Sequence, residues 1–157
     1  MIDLHTHPGG LRDTEAYEHF VRTGEILERV LRPYLEAVSG ATRAVCLALW
    51  APKSSMRHSN AFVEAVVRHD PARLVGFASV DPLSSEAVFE IREWIGKGFR
   101  GVKLAPIYQQ FSPWDERLWR LYRAIEQLGV PTMWHQGSSF MVPEGPLEDS
   151  RPFMLDR

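Results

Sequence analysis

With a single cysteine in 157 residues, the chain can form no internal disulfide framework. Cys46 sits in the apolar run 44–49, Ala-Val-Cys-Leu-Ala-Leu, which marks it as a small core residue rather than a nucleophile. No run of apolar residues approaches the ~20 needed to cross a bilayer, and the charged, histidine-bearing start does not read as a signal peptide. A basic field is missing too. The formal net charge is −2, the pI is near 6.3, and no Lys/Arg block occurs, so neither a nucleic acid nor a membrane is an expected partner. A reducing, cytoplasmic setting is the corresponding expectation. Internal repeats and low-complexity tracts are also lacking. What remains, 45% hydrophobic and 24% charged residues, fits one globular domain with a real core over residues 1–157.

The stretch that stands out is Ile2-Asp3-Leu4-His5-Thr6-His7-Pro8-Gly9-Gly10. Side chains alternate along a strand, so His5 and His7 leave one face together while Leu4 and Thr6 leave the other. Pro8 and the glycine pair then turn the chain away, which leaves both rings at the carboxyl end of the strand. Such a pair can ligate a metal; the alternative is one histidine capping a turn and the other facing solvent.

Further along, residues 13–39 carry Phe20, Ile26, Leu27, Val30, Leu31, Leu35 and Val38 at helical spacing, predicting one or two helices broken near Gly24 or at Pro33. Residues 44–49 form a run suited to a parallel strand covered on both faces, followed by a loop at 50–52. A helix over 60–69 ends before Asp70-Pro71, and a strand over 74–80 follows. Ser84 or Ser85 can cap a helix over 86–97. Residues 101–105 read as a strand, then comes a longer polar and aromatic loop, a helix over 115–128 and a strand over 131–135.

Strand then helix, five times over, predicts an α/β fold with a parallel sheet. No glycine-rich phosphate loop follows the first strand, against the open dinucleotide-binding sheet. Polar side chains instead follow several different strands, as in an eight-stranded (β/α), TIM-type barrel. Such barrels usually need about 200–250 residues, so the expectation is a TIM-barrel-like fold truncated after about five strand-helix units, breaking off in a helix that opens at Pro152. A complete small domain with a frayed tail is the alternative.

The chain resembles the amidohydrolase-related family, the branch of metal-dependent hydrolases and non-oxidative decarboxylases that includes aminocarboxymuconate-semialdehyde decarboxylase. The matching segments are Asp3-Leu4-His5-Thr6-His7, residues 73–82 (Arg-Leu-Val-Gly-Phe-Ala-Ser-Val-Asp-Pro), residues 98–106 (Gly-Phe-Arg-Gly-Val-Lys-Leu-Ala-Pro) and residues 131–137 (Pro-Thr-Met-Trp-His-Gln-Gly). Each is weak singly, but the four occur in order on the predicted strands. The resemblance implies that His5, His7 and His135 bind one divalent metal, zinc in most relatives. It also places a further carboxylate ligand and an assisting histidine beyond residue 157. Ala105 departs from the histidine that relatives often carry there.

Three neutral imidazoles and a carboxylate leave a coordination position for water, whose pKa such a metal lowers from about 15.7 to about 7. The implied activity is hydrolysis or non-oxidative decarboxylation of a small carboxylic or amide-type substrate through that water, feeble or absent in the truncated chain. No catalytic residue is assigned. Trp50, Tyr108, Gln109 and Gln136 follow strands and are candidate substrate contacts; packing is the alternative for the two aromatics. Lys103 faces inward with Gly101 and Ala105, where an unpaired charge is costly. An ion pair with Asp3 is the first expectation for it, and carbamylation to bridge two metals the second. Asn60 and Arg57 are read as capping the helix at 60, with carboxylate binding as the alternative. His19, His58 and His69 are read as surface residues. Adjacent strands lie about 4.8 Å apart, so ligands on the first and fifth meet only if the sheet curves. The competing function is a non-catalytic fragment or binding module that associates, with itself included, through open sheet edges. A phosphoesterase or DNase fits less well, because Lys103 stands where such enzymes commonly place an acid.

Overall fold

Apolar residues at every position of the central strands oblige the sheet to be covered on both faces, and the order of elements supplies the cover. In the computed structural model, residues 1–10, 13–139 and 147–155 are described. They form β1 (Ile2–Thr6), α1 (Thr14–Thr23), α2 (Glu28–Ala37), β2 (Arg43–Leu47), β3 (Leu49–Ala51), β4 (Met56–His58), α3 (Asn60–Val67), β5 (Leu74–Ala78), α4 (Ala87–Gly96), β6 (Gly101–Leu104), α5 (Pro106–Gln109), α6 (Trp119–Leu128) and β7 (Thr132–Trp134). Strands β1-β2-β5-β6-β7 lie in that order in one sheet, every pair parallel. This is a partial (β/α) barrel, as the alternation of strand and helix predicts.

Residue parity assigns the two faces. Ala44, Cys46, Leu74, Ala78, Val102 and Leu104 point outward into the helical layer, where they meet Leu31, Val63, Val66, Ile91, Leu121 and Ile125. Val45, Leu47 and Phe77, with Val75 and Met133 against them, form a smaller cluster on the opposite, inner face. Each fully buried aliphatic or aromatic side chain contributes about 1.5–3 kcal/mol, so the outer layer carries most of the stability. Cys46 belongs to it. Its Sγ is 2.8 Å from the Tyr34 hydroxyl, which is 2.7 Å from Thr6 Oγ1. Burial, the dominant effect, pushes the thiol up to about 11, which fits a core residue.

Local chemistry sets the boundaries. Asp13 caps α1 by accepting from the Ala16 N–H at 3.0 Å, and Gly24, at φ +74°, ends the helix. The break near Gly24 is therefore the real one, whereas Pro33 lies inside α2 without ending it. Four expectations need correction. Residues 44–49 are not one strand: β2 stops at Leu47, and Leu49–Ala51 pairs antiparallel with Met56–His58. The turn between them passes through Ser55 at φ +58°, so 50–52 is not a loop. The stretch after β6 opens with a helical turn, α5, started by Pro106. The helix opening at Pro152 is a 3-10 turn, Pro152–Leu155, and its expected continuation over 156–157 lies outside the described residues.

The inner face is tight where β5 meets β6. Phe77 pairs with Gly101, and a Cβ at Gly101 would overlap the Phe77 ring. Overpacking of this kind costs about 1–3 kcal/mol. Gly101→Ala should therefore lower stability by that amount in urea unfolding. Gly40→Ala, where an added Cβ meets nothing within 4 Å, should change it much less.

Candidate functional site

Alternation along β1 brings His5 and His7 to the inner face, their ring centroids 5.3 Å apart. On the other face, Thr6 donates to the Val45 carbonyl at 2.6 Å. The pairing with β2 shifts register between Asp3 and Thr6, an irregularity of the kind that re-aims side chains at a strand end. His7 Nδ1 lies 3.1 Å from the Leu47 carbonyl. A carbonyl only accepts, so Nδ1 carries the proton and Nε2 keeps its lone pair. Burial, then the charges of His58, His5 and Lys103, hold His7 down to about 3. His5 is lowered by burial and by Lys103. Both rings are therefore neutral at neutral pH.

His135 continues the β7 ladder, its N–H donating to the Leu104 carbonyl at 2.8 Å. Its Nε2 is buried without a hydrogen-bond partner. Burial first, then the charges of Lys103 and His5, lower it to about 4. The Tyr108 ring packs 4.5 Å from the His135 ring, and its hydroxyl donates to Ser139 Oγ at 2.8 Å. Gln136 follows with both amide atoms buried and unpartnered. As the side chains stand, no three His, Cys, Asp or Glu groups among the described residues are gathered closely enough to hold a metal ion.

Of the predicted contacts, Gln109 is engaged through its side chain and Trp50 through its backbone only. The Gln109 side chain is buried; its Oε1 accepts from the Ala105 N–H at 2.8 Å, and Nε2 donates to the Val80 carbonyl at 2.7 Å and the Trp50 carbonyl at 3.0 Å. It ties together the segments after β5 and β6 and the hairpin, rather than lying open to a ligand. Trp50 is half-buried on β3, and its backbone N–H donates to Ser79 Oγ at 3.1 Å.

Other readings are corrected. The Lys103–Asp3 ion pair does not form: the Asp3 carboxylate accepts from the His5 N–H at 3.1 Å, and Lys103 Nζ has no partner. Ser59 caps α3 by accepting from Phe62 N–H at 3.2 Å. Asn60 instead clasps Ser79, donating to its carbonyl at 3.0 Å and accepting its N–H at 2.8 Å. Arg57 is exposed on β4. His58 is no surface residue. It is 7% exposed, its Nε2 lies 3.1 Å from the Gly10 carbonyl, and its ring is 6.2 Å from that of His7. The pattern Met56-Arg57-His58, buried-exposed-buried, is the strand alternation that could have revealed it. His69 is exposed and His19 half-buried.

These features fall at the carboxyl ends of parallel strands, the face where (β/α) barrels carry their sites. The family model described as Amidohydrolase matches residues 2–155, and the chain belongs to that family. No curated protein matches it. Among solved structures, an uncharacterized TIM-barrel protein from Bordetella bronchiseptica shares 21% identity at a TM-score of 0.67, over 99% of this chain and 61% of that one. A 5-carboxyvanillate decarboxylase from Novosphingobium aromaticivorans, with bound manganese and 3-methoxy-4-hydroxy-5-nitrobenzoic acid, shares 17% at 0.61, over 99% and 54%. A probable 2-pyrone-4,6-dicarboxylic acid hydrolase from Acinetobacter baumannii, with citric acid bound, shares 17% at 0.59, over 87% and 49%. The chain thus spans roughly half to three-fifths of these proteins. At such identities the likeness is one of fold.

Gln109→Ala should lower stability by about 1–3 kcal/mol, because it leaves buried backbone groups unpaired. Equilibrium urea unfolding measures this.

Proposed function

We propose that His5, His7 and His135 hold one divalent metal, zinc by donor type, in a hydrolase or non-oxidative decarboxylase acting on a small organic substrate. One observation carries the reading: the Leu47 carbonyl fixes the His7 tautomer so that Nε2 presents its lone pair beside His5. A carbonyl behind a ligand imidazole is the usual support for such a ligand. The donor chemistry fits. All three rings are held below their ordinary value, and the buried His135 Nε2 lacks any protein partner. The fit rests on donor chemistry rather than on distances.

A divalent cation bound there supplies Lewis acidity and a water acidic enough to act as a nucleophile at neutral pH. The chain's own residues do the positioning. Leu47 orients His7, the Tyr108 ring backs His135, and Gln109 ties the segments after β5 and β6 to the β3–β4 hairpin. Trp50 and Gln136 remain candidate substrate contacts, Gln136 by virtue of its unpartnered amide. Nitrogen donors favour zinc, whereas carboxylate and water donors suit manganese; the manganese of the N. aromaticivorans decarboxylase makes both metals worth loading.

A second reading, a non-catalytic module, draws on the lack of an assembled three-residue ligand set among the described residues. Zinc titration followed by calorimetry separates the two. The metal reading expects one site, weakened at least about tenfold by His7→Ala or His135→Ala. Equal affinity in the wild type and both variants would reject it.

A further inference from the structure

Among the described residues Lys103 is the largest fully buried side chain, 1% exposed. It lies on β6 opposite Met133, on the inner face beside Val45, Leu47 and Phe77. Its ammonium has no hydrogen-bond partner. A buried cation ordinarily survives only with a counter-charge, and the sequence places Asp3 on the same face to supply one. The fold spends Asp3 elsewhere: its carboxylate accepts the His5 N–H and forms no ion pair with Lys103. Burial alone pulls Lys103 down to about 8, with no acidic group opposing the shift.

The neighbours add no negative charge. His5, His7 and His135 each register Lys103 as a nearby positive charge, and a divalent cation on those rings would add to it. The site therefore has an unbalanced positive field inside an apolar wall, an arrangement that a bound anion completes. A single ammonium is a point donor, suited to one carboxylate; inorganic phosphate would need several donors. The apolar inner face suits the organic body that carries the carboxylate.

We infer that Lys103 anchors a carboxylate of the substrate, so that this site takes organic acids rather than neutral amides or esters. As an assignment of substrate, this rests on the proposed hydrolase or decarboxylase reading; as an anion site, it rests on Lys103 alone. The anchor forms an N–H···O⁻ bond from Nζ, and the ring or chain of the acid lies against Phe77 and Met133.

Benzoate and benzamide, equal in shape and different in charge, are the probes. Calorimetric titration of metal-stripped wild-type chain should show benzoate binding, weakened about tenfold or more by Lys103→Met, with benzamide weak on both. Benzoate, but not benzamide, should also protect Lys103 from reductive methylation in the wild type, a readout that survives if Lys103→Met fails to fold. Equal benzoate affinity in wild type and Lys103→Met, absence of protection, displacement of benzoate by equimolar phosphate, or a carbamate carbon resonance in the native wild-type chain kept in 13C-bicarbonate and absent from Lys103→Met would each overturn the inference. Zinc titration of the same preparations keeps the two readings apart. Lys103-dependent benzoate binding without a zinc site rejects the metal reading alone, and zinc binding without Lys103-dependent benzoate binding rejects the anchor alone.

Discussion

The two-residue period of the parallel strands is the constraint from which the rest of the molecule follows. It sends Thr6, Ala44, Cys46, Val102 and Leu104 into the helical layer, and Asp3, His5, His7, Leu47, Phe77 and Lys103 to the inner side. A shift of one residue in any of these strands would exchange its two sets; in β6 it would place Lys103 among the aliphatic helices and a valine or leucine where the amine stands. The sheet thus couples stability and chemistry. The hydrophobic outer set fixes the register, and the register alone decides which polar groups meet at the strand ends.

Much of this was legible in the sequence because periodicity reports burial directly. The β1 histidine pair, the strand opening the apolar run at Ala44, the helix break near Gly24 and the order of strand and helix all rest on local rules that tertiary structure obeyed. What escaped detection depends on contacts distant in sequence. The hairpin of β3 and β4 was hidden because a continuous apolar run looks the same whether it is one strand or a strand followed by the arm of a hairpin. Gln109 read as a ligand contact because it follows a strand, but its partners Val80 and Trp50 lie 29 and 59 residues away. His58 was assigned to the surface for want of a recognised strand beneath it. Asp3 was expected to pair with Lys103, and only its place beside the His5 N–H shows where its charge is used.

The site's electrostatics reflect a division of labour between burial and charge. Burial is the first cause of the lowered values of His7 and His135, and Lys103 reinforces it. Neutral imidazoles are good ligands for a cation, whereas an unpaired ammonium is a good partner for an anion. On the proposed reading, one inner face serves both kinds of recognition. Among the described residues no helix is long and apolar enough to cross a bilayer.

The sealed environment of Cys46 also matters at the bench. The chain's one thiol lies in the packed outer layer beside the Tyr34 hydroxyl, with its acidity suppressed. Maleimide or nitroxide reagents would find almost no thiolate to attack. A cysteine introduced at any exposed position would thus be the sole reactive handle, and fluorescence or spin-label distances could follow the histidine-bearing strand without first removing the native sulfur.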